Sequence, residues 1–464
     1  MNFLRKFYKN FKLSLSGEES VFTSGNMPRA IFILSVPMIL EMCMESLFAV
    51  VDIFFLGQYS EDAVAVVGLT ESAEFIVYSI CIGMSMAVTA FVSRRIGEND
   101  KKGAANVAMQ TIWLALILAG SISILGFFFA HDILTLMGAT ESLADYGENY
   151  TRIIFCANVN VMFLFLLNAV FRGSGNAAIA MKVLWISNGL NIILDPIFIF
   201  GLGPIPSLGL EGAAIATTIG RGIGVLVQLG FLFFGKHSVQ IKKGTVSWDG
   251  PLILKMLKTS LGGIGQFIIS SASWILVIRI ISSFGHLAIA GYTIAFRVMM
   301  FTLLPAWGMA NAAATLVGQN LGAHKPDRAE KAVWLIAKYN MFFLLGVSIL
   351  YFWLAPNIVG IFTQNPEVLN YGIQGLRLIS LGYIFFAYGM STSMGFNGAG
   401  DTITPTLQNF IAYWAFQLPL AYYLAITLNW QVDGVYWAIT IASVVYCGLG
   451  IWWFKKGKWK TTKV

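Results

Sequence analysis

Three acids lie inside one apolar stretch of this 464-residue chain: Glu41, Glu45 and Asp52. At about 100° per residue, their spacing puts all three on one face of one helix. That face cannot point at lipid. It must meet a partner or a watery cavity, because charges inside apolar spans are costly and by default mark function. A second stretch, N-G-L-N-I-I-L-D-P, puts Asn188, Asn191 and Asp195 on one face at i, i+3 and i+7. Pro196 removes the hydrogen bond to the Ile192 carbonyl and leaves that oxygen free near Asp195. A carboxylate, an amide oxygen and a freed carbonyl are the oxygen ligands of a hard cation or a proton site. The plainer alternative is that Asp195 caps or pins a neighbouring helix. Glu71 and Glu74 follow in the next apolar stretch. With Glu41, Glu45 and Asn188 they are the candidate lining for a bound substrate. Pro37 frees the Ile33 carbonyl, so Pro37 and Pro196 are candidate hinges.

These residues need elements to hold them, and composition says which. The chain is 57% hydrophobic and only 11% charged, with a mean hydropathy of +0.72. Soluble proteins carry about 25% charged residues, so long apolar segments here read as membrane-spanning helices. Twelve are expected, at about 29–56, 62–94, 102–130, 143–171, 177–201 and 209–235, then 251–283, 286–320, 327–355, 368–396, 402–427 and 433–454.

The two sets of six repeat each other at a fixed offset of 225 residues. F-R-G-S-G (171–175) recurs as F-N-G-A-G (396–400), Gly83 and Met84 as Gly308 and Met309, Gly97 as Gly322, and Arg152 as Arg377. Six spans per half is an even number, so the repeats are parallel, related by an axis along the membrane normal. Such duplication is a mark of transporters, which rock one half against the other. The fold class is therefore all-α membrane protein, with two pseudo-symmetric six-helix bundles. The expected divisions are a tail at 1–26, one lobe at 27–235, a linker at 236–250, a second lobe at 251–456 and a basic tail at 457–464. The polar groups do not repeat: Asp52, Asn191 and Asp195 map to Val277, Phe416 and Leu420. The chemical task thus belongs to the first half.

Basic residues set the orientation. Arg5, Lys6, Lys9, Lys12 and Arg29 precede the first span, and Arg94, Arg95, Lys101 and Lys102 flank the second loop. Lys236, Lys242 and Lys243 lie in the linker, Lys325 and Arg328 in the eighth loop, and five lysines from Lys455 onward in the tail. Every odd-numbered loop lacks Lys and Arg, which puts both termini in the cytoplasm. Phe3, Phe7 and Phe11, interleaved with these first cations, spell either a surface-bound amphipathic helix or a disordered tail. The net charge of +7 reflects those loops and not nucleic-acid affinity.

Four dispersed cysteines and four unclustered histidines give neither a disulfide framework nor a metal site. Arg221, Arg279, Arg297 and Lys338 fall within spans and are expected to neutralise the acids as ion pairs. Arg152 and Arg377 read as repeat architecture. Trp274, Trp307, Tyr413, Trp414 and Phe416 read singly as core or lipid contacts, with cavity lining as the alternative.

With these features in place the chain resembles the multidrug and toxic compound extrusion (MATE) family, closest to its DinF-like branch. The motifs are V-P-M-I-L…V-V-D-I-F-F-L-G (36–57), G-M-S-M-A-V-T-A-F-V-S-R-R-I-G (83–97), F-R-G-S-G, N-I-I-L-D-P-I-F-I-F-G (191–201) and G-L-E-G-A-A-I-A-T (209–217). The resemblance implies export of organic, often cationic compounds in exchange for inward Na⁺ or H⁺. It also implies a cation site at Asp52, Asn191, Asp195 and Thr217, of which Thr217 comes from the resemblance alone. No cofactor is expected beyond the transported ion, and no enzymatic activity. The expected partners are small, cationic, lipophilic substrates and membrane lipids, and the expected state is a plasma-membrane monomer. A lipid-linked oligosaccharide flippase of the same superfamily is the alternative, disfavoured by the acids of the first two spans. Glu41, Glu45, Glu71 and Arg221 depart from the family pattern.

Overall fold

The computed structural model describes residues 2–17, 22–235, 237–242 and 247–464. Lys236 and Lys243 of the expected linker lie outside them. The first half runs α1 (Asn2–Ser16), α2 (Met27–Tyr59), α3 (Glu61–Gly97), α4 (Lys101–Leu136), α5 (Glu141–Cys156), α6 (Asn158–Gly173), α7 (Ala177–Phe200) and α8 (Gly209–Phe234). The second runs α9 (Gly250–Ser282), α10 (His286–Gly322), α11 (Pro326–Gly360), α12 (Pro366–Ser380), α13 (Tyr383–Ala399), α14 (Ile403–Asn409), α15 (Leu418–Tyr422) and α16 (Gln431–Lys455). Helices α3, α4, α5 and α6 each start one repeat length before α10, α11, α12 and α13.

Among the described residues, ten helices or continuous helix pairs are long and apolar enough to cross a membrane, and α12 with α13 forms an eleventh across a 56° bend. The twelfth crossing is α2, whose 33 residues carry the three acids. The fifth apolar stretch of the repeat differs between halves. Unbroken α7 corresponds to α14 and α15 joined by π-helical turns at Phe410–Gln417 and followed by another at Tyr423–Thr427.

The repeat is visible in single contacts. Arg152 Nε donates to the Phe127 carbonyl at 3.2 Å, and its guanidinium lies 5.6 Å from the Phe127 ring centre. Arg377 treats Phe352 identically, at 3.0 and 5.5 Å.

The two bundles also meet through reciprocal contacts, as a twofold relation requires. Gly83 lies against the backbone of Ile264, and its repeat mate Gly308 lies against Met38 and Ile39. Gly97 abuts the Gln319 carbonyl, and Gly322 abuts the Arg94 carbonyl. Neither pair leaves room for a Cβ, so the helix backbones touch as small residues allow.

The contact at Gly97 and Gly322 closes the end of the molecule that carries the basic loops. Chain segments brace it. Phe22 is buried, and its carbonyl accepts from Asn320 and Arg328 of the second bundle. Asn176 of the first bundle donates to the Gly17 carbonyl. Arg94 donates to Thr462 of the tail at 2.7 Å. Of the two readings of the N-terminus, the helix is observed: α1 packs on α2, with the Phe7 and Phe32 rings 5.4 Å apart.

Candidate functional site

Helices α2, α7 and α8 pack together in the first bundle. Gly220 of α8 lets the two helices approach so closely that a Cβ there would press on Asn191. Asn191 Nδ2 donates to Thr217 Oγ1 at 2.9 Å and to Asp195 Oδ1 at 3.3 Å. All three residues are buried. Asp52, on α2, makes no hydrogen bond to them but lies close enough for its charge to act on Asp195.

The geometry leaves three buried oxygens unsatisfied: Asp52 Oδ1, Asn191 Oδ1 and Asp195 Oδ2. Buried polar atoms normally have partners. Three orphaned acceptors, two of them carboxylate oxygens, have the chemistry that a proton or a hard cation satisfies. α2 and α7 run through Pro37 and Pro196 as continuous helices, each without the one hydrogen bond that a proline cannot make.

The other candidate residues divide. Glu41, Glu45 and Asn188 line a cavity of about 730 Å³ with Tyr78, Arg172, Arg221 and Trp307. Asn188 Nδ2 donates to Glu45 Oε2 at 3.1 Å. Glu74 is buried on α3 beside Asn158, while Glu71 is exposed, and neither lines this cavity.

One expectation needs correction. Arg279, Arg297 and Lys338 form no ion pair among the described residues. The buried pair is instead Arg172 Nη1 to Glu41 Oε1 at 2.9 Å, with side chains 13% and 2% exposed. Asn168 adds a bond to the same carboxylate oxygen at 3.2 Å, and Gln228 holds Asn168 at 2.6 Å. Arg221 lies among Tyr78, Glu45 and Glu74, with its guanidinium over the Phe48 ring. Arg172 sits in the repeated F-R-G-S-G. Its mate in the second half is Asn397, and this break in the repeat was the available signal. A second cleft of about 560 Å³ lies between the bundles, lined by Met42, Ile82 and Arg172 on one side and by Trp307, Asn311 and Asn397 on the other.

Known proteins match most of the chain. The chain is 26% identical over 438 residues to a probable multidrug resistance protein NorM of Thermotoga maritima, covering 93% of each chain. It is 25% identical over 356 residues to an FAD transporter of Shewanella oneidensis, covering 75% of this chain and 77% of that one. An outward-facing multidrug resistance MATE family transporter superposes with a TM-score of 0.88 at 26% identity, covering 95% of this chain and 98% of the other. The family model MatE matches twice, at residues 37–197 and 263–423, once in each half. The chain belongs to the multidrug and toxic compound extrusion (MATE) family of membrane transporters.

Proposed function

We propose that this transporter is an antiporter that exports organic, cationic, lipophilic compounds by alternating access, driven by inward H⁺ or Na⁺ at Asp52, Asn191, Asp195 and Thr217. The observation that carries the reading is the set of three orphaned buried oxygens on Asp52, Asn191 and Asp195. Two carboxylates this deep cannot both stay ionised cheaply, and one proton or one cation relieves both. Because Asp52 rides on α2 and Asp195 on α7, occupancy changes the force between the two helices.

That force has a route to the gate. Glu41 and Glu45 lie on the same helix as Asp52, and the turn after Pro37 packs on Gly308 of the other bundle. A hinge at Pro37 therefore moves the cavity wall and the inter-bundle contact together. Coupling needs only that the ion bind one state more tightly than the other. The cavity's acids favour cationic substrates, with Glu45 supplementing the charge that Glu41 shares with Arg172. The relative named for multidrug resistance fits that substrate class.

The basic loops set the closed end in the cytoplasm, so the arrangement is outward-facing, with residues 27–235 and 251–456 as the moving lobes of a plasma-membrane monomer. The deciding measurement is transport by purified protein in liposomes with Na⁺ and pH gradients imposed separately. Uptake or efflux of ethidium that follows one gradient and collapses with its ionophore supports the reading. Transport indifferent to both gradients overturns it.

A further inference from the structure

The second bundle holds a pocket of its own. Its walls come from α9, α10, α12, α13, the π-helical turn after α14, and α16. Trp274, Tyr292, Phe296, Tyr383 and Tyr413 are prominent in the lining, and no Asp, Glu, Lys, Arg or His contributes. The rings brace one another. Trp274 meets Phe296 edge-on at 4.7 Å, and Phe296 stacks on Tyr292 at 5.9 Å. Such packing fixes the rings before any ligand arrives.

The repeat explains what is unusual here. At the fixed offset, Phe296, Met299, Tyr383 and Tyr413 occupy the places of Glu71, Glu74, Asn158 and Asn188. Where the first bundle holds charges and amides, the second holds π faces and a thioether. A π face attracts a cation without carrying a formal charge, and most strongly when water is excluded.

The backbone points to a ligand as well: Tyr413 and Gln417 reach the cavity from a π-helical turn, a rare geometry that recurs at functional sites. The position also suits a transporter. Leu303 lines this cavity and the next residue, Leu304, lines the charged one. Pro305 follows inside α10 and weakens the helix at that partition.

We propose that the aromatic cavity of the second bundle is a binding site for lipophilic organic cations whose charge is spread over aromatic or quaternary groups. The proposal rests on the exporter reading for its substrate class, but its test is binding without any gradient.

Equilibrium dialysis of the purified full chain against tetraphenylphosphonium and tetraphenylborate compares one shape with opposite charges. The cation is expected to bind more tightly by about tenfold or more. Tyr413→Leu and Trp274→Leu should each weaken a cation-binding component about tenfold, while Trp274→Phe retains it. Ser443→Phe adds volume to the cavity wall instead of removing it and should abolish the same component. Equal binding of the two ions overturns the cation claim. Undiminished cation binding in both Tyr413→Leu and Ser443→Phe overturns the site. Intact binding in a protein that does not transport supports the site and counts only against the exporter reading.

Discussion

Arg172 Nη1 stands 2.9 Å from Glu41 Oε1, and the backbone carbonyl of the same arginine accepts from Thr315 of the other bundle at 3.0 Å. One residue thus ties α2 to α6 and α6 to α10. Removing one partner of a buried pair leaves an uncompensated charge, at a cost of about 3–5 kcal/mol. Arg172 keeps some access to the cavity, so Glu41→Ala should fall at the low end, about 3 kcal/mol. Glu41→Gln should cost less, because its amide oxygen still accepts from Arg172 and Asn168. Replacing both partners by methionine should be milder than Glu41→Ala. Thermal unfolding of the detergent-purified variants checks the order, and a wild-type midpoint for Glu41→Ala would show that the pair is idle.

The ion site makes a prediction about function rather than stability. Asp52→Asn and Asp195→Asn each remove a charge while nearly preserving shape. Each should abolish gradient-driven export and leave folded protein in the membrane. Thr217→Ala, which loses the 2.9 Å bond from Asn191, should weaken coupling about tenfold, since one good hydrogen bond is worth roughly 1 kcal/mol or somewhat more. Val277→Asn and Leu420→Asn, at the equivalent positions of the other half, should transport normally. Proteoliposome flux under an imposed gradient reads all five. Normal export by both aspartate variants would mean that the orphaned oxygens serve packing alone.

Much of this was legible because helix period and repeat length are properties of sequence. The face shared by Asn191 and Asp195 follows from their spacing, and the contacts of Gly97 with Gln319 and of Gly322 with Arg94 are one contact made twice, since Gly97 maps to Gly322 and Arg94 to Gln319 at the repeat offset. The partners of charges were not legible. Arg172 finds Glu41 across 131 residues of sequence, and only the packing of α2 on the helices around it decides which acid it reaches. Arg297 and Lys338 looked equivalent by span position yet pair with no acid among the described residues. The aromatic cavity was also hidden. Trp274 and Tyr413 each read singly as a core or lipid contact, with cavity lining as the alternative, and only the convergence of five helices with a π-helical turn makes them neighbours.

Arg152 and Arg377 test the architecture. Each bonds a carbonyl 25 residues earlier and lies over the ring of that same phenylalanine. A hydrogen bond contributes about 1 kcal/mol and an exposed cation–π contact about 0.5–1 kcal/mol. Alanine at either site should therefore cost about 1–2 kcal/mol. Arg152 also pairs with Glu148, but half-exposed pairs add at most about 1 kcal/mol, so the two losses should stay similar. They are far apart, and the double variant should show their sum. A loss at one site without the other would break the equivalence.

The closed end is the last test, and it joins packing to transport. A Cβ on Gly97 would strike the Gln319 carbonyl, and one on Gly322 the Arg94 carbonyl. Backbone atoms cannot swing aside as a side chain can, so either alanine must push α3 and α10 apart. Overpacking of this kind costs about 1–3 kcal/mol, and here the cost falls only on the state in which the two helix ends touch. Gly97→Ala and Gly322→Ala should therefore each shift the population towards the state open at the basic-loop end, by about tenfold. The reciprocity of the contact predicts equal effects. Gly346→Ala, on α11 with open space around it, should change nothing. A single cysteine at Ala314, which lines the cleft between the bundles, reports the shift in a background lacking Cys43, Cys81, Cys156 and Cys447. An impermeant maleimide applied to the cytoplasmic face of inside-out vesicles should label it faster in both glycine variants and no faster in Gly346→Ala. Parental labelling rates in both variants would mean that the touching glycines are scaffold and that the gate lies elsewhere.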